Sequence, residues 1–231
     1  EELPTFWSLI YPKVKDKISL KHLDKTLIDK YIPQELFVKL YLDYEENNYI
    51  TADIKFVYGD REFNPLDENN LTIARDISKE NEYLDIFVNT GFMLDRENKR
   101  LILANDDMIY QFLSEEIDDY MQKFEVLVTD NFKNKEIRKP KIGSIGVKIE
   151  NDLLRIDLSQ MDFDVDEIRE IMEKYTLKKK FHRLKDGSFL ELEENETMNF
   201  INSLMENEDV GFEEIQKGEI RLPVSRTMYL D

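Results

Sequence analysis

The chain has 231 residues, a formal charge of −18 and no Cys. A hydrophobic fraction of 41%, with 14 Phe and 11 Tyr, predicts a packed core rather than a disordered chain. The absence of Cys excludes disulfides and Cys-ligated zinc, and it fits a reducing compartment. The low counts of Gly (7) and Pro (6) argue against repeat arrays and low-complexity sequence.

The acidic balance sets the expected surface chemistry. With 50 Asp plus Glu against 32 Lys plus Arg, most of the surface would repel a polyanion such as DNA or RNA. No apolar run approaches the roughly 20 residues that a membrane span requires. The chain starts with Glu1 rather than Met and its last residues are LPVSRTMYLD, so we expect both ends to continue into a longer protein.

The first part of the chain is predicted to be a helical N-terminal segment, 1–35, followed by an α+β half, 36–137. Apolar residues at helical spacing indicate a helix that ends at Pro33. Two alternating strands follow, joined by the polar turn at 46–48, and a short third strand is predicted at 61–63.

Two helices and a small hairpin complete this half. The first helix is predicted from about Ser78 to Asn89, with Gly91 at its C-terminal cap. A small hairpin is predicted within 92–104. Asn105 is then expected to cap a second helix whose first turn carries aspartates, and a short apolar strand follows.

The basic stretch 134–143, interrupted by Pro140, predicts a boundary to a second α+β half, 138–231. We expect two strands, a helix over about 164–179, a hairpin, a further helix and a closing strand with the sequence EIRLP. Both predicted halves have the same order of elements, which is hairpin, helix, small hairpin and helix. This order is compatible with a structural duplication. The predicted fold class is α+β, with antiparallel hairpins packed against about four or five helices.

No motif for nucleotide binding or hydrolysis is found. The stretch 143–148 has the wrong spacing for a P-loop, and neither His22 nor His182 lies in an H-E-x-x-H motif. The acidic run 162–167 resembles a calcium loop but has Glu167 where that loop requires Gly, so we interpret it as the first turn of a helix. We predict no catalytic, cofactor-binding or metal-binding residues in this chain.

Two basic clusters are the candidate contact sites. The first comprises Lys178, Lys179, Lys180, His182 and Arg183, and the second comprises Lys133, Lys135, Arg138, Lys139 and Lys141. On an acidic body, such clusters can contact phosphate or an acidic protein surface. The competing interpretations are cations that complement a helix C-terminus for the first cluster and a solvated linker for the second.

The first cluster runs into the hairpin FHRLKDGSFLEL, residues 181–192. Asp186 and Gly187 supply the positive-φ position that a tight turn requires. The apolar residues of the hairpin fall on both faces in either register, which predicts partial burial on each side. They are Phe181, Leu184, Phe189, Leu190 and Leu192. This geometry accounts for the pattern without a catalytic role.

The string FHRLKDGSFLELEE resembles a signature of the bacterial Swi/Snf-type helicase-associated domain. Other stretches resemble parts of the same domain, in the family's order and from about residue 36 to the end: ITADIKFVYGDREFNPL, RDISKENEYLDIF, DDMIYQFL and EIRLPVSRTMYLD. The resemblance implies a non-catalytic accessory domain that lies just before the ATPase motor of a bacterial helicase or translocase. ATP and Mg²⁺ are then expected only in the motor domain of that parent protein.

The resemblance also implies partners and a location. The expected partners are the motor lobes of the same chain and DNA, contacted through the parent or by a weak direct contact, and no membrane is expected. The expected location is the bacterial cytoplasm. No functional residues carry over, because none are established for this domain by the resemblance. The alternative function is a nucleic-acid- or protein-binding module that uses the basic clusters. A hydrolase built on the carboxylate pairs at 106–107 and 118–119 would need a third converging group.

Overall fold

The computed structural model describes residues 10–14, 17, 34–45, 48–67, 73–141, 145–161, 163–207 and 210–224. The chain divides into two compact units, Glu1–Asn134 and Lys135–Asp231, which we call the first and the second unit. The predicted limits of the three segments stay a prediction. Most of the N-terminal segment lies outside the described residues, and its described part contains one short helix, α1 (Tyr11–Val14).

The first unit is built on a 6-stranded sheet. Its strands are β1 (Leu36–Tyr44), β2 (Ile50–Tyr58), β3 (Arg61–Phe63), β4 (Met93–Asp95), β5 (Arg100–Leu103) and β6 (Glu125–Val128). Their order is β4-β5-β2-β1-β6, with β3 added beside β2. Every pair is antiparallel except β6 with β1. Both predicted hairpins are therefore confirmed, and the β5–β2 pairing joins them in one sheet.

One face of this sheet is buried, because successive residues of a strand point to opposite faces. Leu40 and Leu42 of β1 are almost fully buried, whereas Tyr41 between them is 40% exposed. Tyr58, on the buried face of β2, bonds to Glu80 of the helix α2 (Ile77–Thr90), which places α2 over that face.

Both ends of α2 are capped. The Asp76 side chain accepts a hydrogen bond from the Lys79 N–H at 3.0 Å. Gly91 ends the helix with a φ of 97°, as predicted. A β-carbon on Gly91 would lie 2.4 Å from Met108 Sδ, so a side chain there would meet both backbone strain and a steric clash.

The second predicted helix contains a π segment. It consists of α3 (Asp106–Gln111), the π segment Phe112–Glu116 and α4 (Ile117–Lys123), and a short α5 (Asp130–Lys133) follows β6. Asn105 caps α3 as predicted, since it accepts a hydrogen bond from the Met108 N–H at 3.1 Å. In an ideal α-helix, Phe112 and Tyr120 would point about 80° apart. The wider π turn brings both rings to the buried side, with their centroids 5.1 Å apart.

The second unit contains two 3-stranded sheets. Its strands are β7 (Ile137–Arg138), β8 (Gly146–Glu150), β9 (Leu153–Asp157), β10 (Phe181–Arg183), β11 (Phe189–Glu191) and β12 (Glu219–Pro223). The orders are β10-β11-β7, with β7 parallel to β11, and β12-β9-β8. The two hairpins of this unit thus lie in different sheets, unlike those of the first unit, so the predicted duplication is not confirmed.

Helices fill the space around these sheets. A 3₁₀ turn at Val165–Glu167 leads into α6 (Ile168–Thr176), and α7 (Glu196–Asn207) and α8 (Phe212–Gln216) follow. Asp164 accepts a hydrogen bond from the Asp166 N–H at 3.0 Å, so the acidic run begins a helical segment as predicted. The fold class is α+β, as expected. Among the described helices, none has the length and apolar character needed to cross a membrane.

A buried polar network links β2 to the start of α2. Glu80 is 3% exposed, and its carboxylate accepts hydrogen bonds from Tyr58 Oη at 2.7 Å and from Arg75 Nε at 2.9 Å. Tyr58 Oη in turn accepts a hydrogen bond from the Asp76 N–H at 2.9 Å. Burial and the bond to Glu80 both raise the pKa of Tyr58. The tyrosine therefore stays neutral and holds the first turn of α2 against the sheet.

Replacement of Tyr58 by Phe is expected to lower the free energy of unfolding by about 1–3 kcal/mol, because Glu80 loses a buried donor and the Asp76 N–H loses its acceptor. Urea denaturation followed by circular dichroism measures the change. Tyr41→Phe removes an exposed hydroxyl from the neighbouring strand and is the matched control, with an expected change within about 0.5 kcal/mol. Equal losses in the two variants would contradict a structural role for the network.

Candidate functional site

The three lysines of the first basic cluster lie just beyond the C-terminus of α6. The helix ends at Thr176, and Lys178 has a φ of 54°. The Lys178 N–H donates to the Tyr175 carbonyl at 2.8 Å, and the Lys179 N–H donates to the Lys174 carbonyl at 3.0 Å. These bonds satisfy the last carbonyls of the helix, where cations are favoured by the helix dipole. The side chains of Lys178, Lys179 and Lys180 are exposed.

Lys178 and Lys179 line a groove of about 590 Å³ that also contains carboxylates. Its other lining residues are Tyr175, Thr176, Leu192, Glu193, Glu194, Asn202 and Glu206. Glu193 is held close by its backbone, since its N–H donates to the Lys180 carbonyl at 3.3 Å. The lysines therefore do not form an isolated cationic patch, and a phosphate in this groove would meet more carboxylates than ammonium groups.

An apolar groove of about 450 Å³ adjoins the charged groove, because Thr176 and Asn202 line both. Its other lining residues are Met172, Glu173, Leu177, Met205 and Phe212. Leu177 is 70% exposed, although it is a large apolar residue. We call the two adjoining grooves the α6–α7 surface. The helical spacing assigns Met172 and Met205 to the inward faces of their helices and does not indicate a surface groove. The available signal is Leu177, an apolar residue placed at the polar end of an amphipathic helix.

His182, the fourth residue of the first cluster, is buried. Only 2% of it is exposed, and its Nε2 lies 3.5 Å from Glu167 Oε2. Burial lowers the pKa of His182, and Lys174 acts in the same direction while Glu167 partly opposes it. The sequence interpretation grouped His182 with exposed cations; the structure removes it from that surface, because β10 turns this side chain towards the core.

Arg183, the fifth residue, points to the opposite face of β10 from His182. It is half-buried, and its guanidinium carbon lies 5.1 Å from the centroid of the Phe189 ring. The planar cation therefore covers an aromatic side chain of the neighbouring strand. The structure thus separates the five candidates into three exposed lysines, a buried histidine and a stacked arginine.

The hairpin itself matches its predicted geometry. Gly187 adopts a φ of 86°, and its N–H donates to the Leu184 carbonyl at 2.9 Å. Phe189 and Leu190 point to opposite faces and are both fully buried, so burial on both sides is confirmed. β11 is the central strand of its sheet, with β10 on one side and β7 on the other.

His182 lies 3.5 Å from Glu167, and Ser188 lies diagonally across the hairpin from His182; these are the side-chain types of a serine hydrolase triad. His182 pairs with Leu190 across the hairpin, and Ser188 lies two residues before Leu190 on the same face. The exposed fractions of Ser188, His182 and Glu167 are 1%, 2% and 5%. A substrate has no access to side chains buried to this degree, so these groups contribute to the core rather than to a reaction.

The second basic cluster is largely paired with carboxylates. Arg138 Nη2 lies 2.5 Å from Asp186 Oδ2, and Lys139 Nζ lies 2.9 Å from Glu191 Oε2. Lys135 donates to the Asp186 carbonyl. These contacts attach the stretch after Asn134 to the hairpin. Among the described residues, no group of three or more His, Cys, Asp and Glu side chains is arranged to hold a metal ion. His22 lies outside them.

The lowered pKa of His182 gives stability a defined pH dependence. The unfolded chain takes up a proton near the ordinary histidine pKa of about 6.5, whereas folded His182 resists protonation. This contribution to stability is present above that pH and is lost as the pH falls through the lower folded pKa. We therefore expect the free energy of unfolding of His182→Gln to fall less than that of the unmodified chain when the pH is lowered from about 7 to about 5. Urea denaturation at the two pH values measures both changes. Identical losses in the two proteins would refute this assignment.

Comparison with known proteins identifies a family. The model of a protein family described as bacterial SNF2 helicase associated matches residues 1–231, the whole chain. No curated protein and no solved structure matches the chain at a significant level. The family match agrees with the resemblance that the hairpin and its companion stretches carry. The chain therefore belongs to the bacterial SNF2 helicase-associated family.

Proposed function

We propose that this chain is a non-catalytic accessory domain that docks on the motor lobes of its parent protein and biases their ATP-driven cycle. The observation that carries the proposal is the family match over residues 1–231. The parent is an ATP-dependent DNA helicase or translocase of the bacterial cytoplasm, and ATP and Mg²⁺ bind in its motor. This chain contributes contacts rather than chemistry.

Docking can regulate a motor if the contact differs between its conformations. An accessory domain that contacts an open arrangement of the lobes more favourably than a closed one shifts the equilibrium between them by the difference in contact free energy. A formal charge of −18 makes a basic surface, such as a DNA-binding cleft, a favourable docking partner. The chain then competes with DNA for that surface, and DNA contacts are made by the parent.

The test compares the ATPase rate of the parent with that of a variant that lacks residues 1–231, from about 50 to about 200 mM salt. We expect deletion to change the rate by about fivefold or more, and the change to shrink as salt screens the contact. Equal rates at every salt concentration would discard regulation by this chain.

A titration of the chain with duplex and single-stranded DNA separates docking from direct nucleic-acid binding. Since Lys178 and Lys179 share their groove with carboxylates, we expect no binding at about 50 mM salt. Salt-sensitive binding that is lost when Lys178, Lys179 and Lys180 are replaced by Glu would replace docking by a nucleic-acid-binding function.

A further inference from the structure

The α6–α7 surface has an apolar centre. Its apolar groove lies between two helices that pack against each other, α6 and α7, and Phe212 of α8 lines it as well. Met172 and Thr176 lie one turn apart on α6, and Asn202 and Met205 do so on α7. Met172 is only 2% exposed and forms the floor of the groove, whereas Leu177 is 70% exposed and Met205 is half-buried. A methionine side chain adapts to the shape of an inserted apolar group, which suits a binding groove.

Carboxylates dominate the charge around this centre. Glu173 lines the apolar groove, and the adjoining groove contains further glutamates; together they are Glu173, Glu193, Glu194 and Glu206. None of the four forms an ion pair with a basic side chain of the described residues. The cations at this surface are Lys178 and Lys179, which line the charged groove, and Arg169, whose guanidinium carbon lies 4.7 Å from the centroid of the Phe212 ring. The surface is therefore apolar in the middle and net negative at its edge.

From this arrangement we infer that the α6–α7 surface binds an amphipathic helix of a protein partner, with an apolar face and Lys or Arg along its polar face. A third helix fits a groove between two packed helices, because its rows of side chains enter the groove in the same way as those of its neighbours. The carboxylates at the edge then pair with the cations of the incoming helix. The inference rests on the proposed function in one respect: the motor lobes are the source of the helix in the parent.

Binding to the chain of residues 1–231 is measured with a labelled synthetic helix of Leu and Lys, about 18 residues or roughly 27 Å long. A peptide of the same composition without helical periodicity reports binding by charge alone. A Leu and Glu helix reports binding by apolar contact alone. We expect the Leu and Lys helix to bind about tenfold or more tightly than either control peptide.

Two variants test the two parts of the surface. Leu177→Asn removes an exposed apolar side chain and is expected to weaken binding by about tenfold. Ile149→Asn, at 69% exposure against 70% for Leu177, is its matched control and should bind as the unmodified chain does.

A chain with Glu193, Glu194 and Glu206 replaced by Gln should bind about threefold or more weakly at about 0.1 M salt. Its control carries Glu82→Gln, Asp85→Asn and Glu97→Gln, exposed changes of the same net charge in the first unit.

The outcomes are separable. Unchanged binding by Leu177→Asn, an equal loss with Ile149→Asn, or equal binding of the non-periodic peptide would overturn the inference. If deletion of residues 1–231 alters the ATPase rate while Leu177→Asn in the parent does not, docking uses another surface and only the inference fails. If the synthetic helix binds through Leu177 but deletion of residues 1–231 leaves the ATPase rate unchanged, the inference about the groove is correct and the proposed function is wrong.

Discussion

The packing of α6 against α7 determines what the second unit presents to its surroundings. α6 buries Ile168, Ile171 and Met172 and then ends at Thr176. Leu177, the next residue, has no position in the core and remains exposed, and the lysines that follow complete the helix C-terminus. Leu177 and the lysines reach the α6–α7 surface because α6 stops at Thr176, while α7, α8 and the segment after the hairpin supply the rest of its lining.

The core of the second unit also encloses the side chains whose chemical types could take part in a reaction. Glu167 precedes α6 directly, and the core of the second unit holds it beside His182. Buried polar groups of this kind stabilise one arrangement of the chain when they are paired, and they are costly when they are not. In the first unit, Glu80 occupies a comparable position with Tyr58 and Arg75 as partners. The side chains that remain at the surface can contact a partner, which agrees with membership of a helicase-associated family.

Local features were predictable from the sequence. Asn105 and Gly91 cap helices, and Gly187 turns a hairpin, because each role depends on the conformational preference of one residue and its immediate neighbours. The parallel pairings of β6 with β1 and of β7 with β11 were not predicted, since they join segments that are distant in the chain. For the same reason, two halves with similar element orders gave different sheets.

The candidate site was harder to predict than the fold. A run of basic residues does not reveal that the His182 side chain is buried, because the alternation of side chains along β10 determines which of them reach the surface. Nor does it reveal that Glu193, Glu194 and Glu206 line the same groove as Lys178 and Lys179, since α6, the hairpin and α7 must first assemble. The family resemblance supplied the context, and the structure supplied the surface.

Hydrogen–deuterium exchange on the parent protein and on residues 1–231 alone tests most directly whether this surface is a docking site. If the motor lobes cover the α6–α7 surface as we propose, exchange at residues 172–179 and 202–206 should be slower in the parent, while exchange in the exposed strand β8 should be the same in both. Identical exchange of residues 172–179 and 202–206 in the two proteins would contradict docking through this surface.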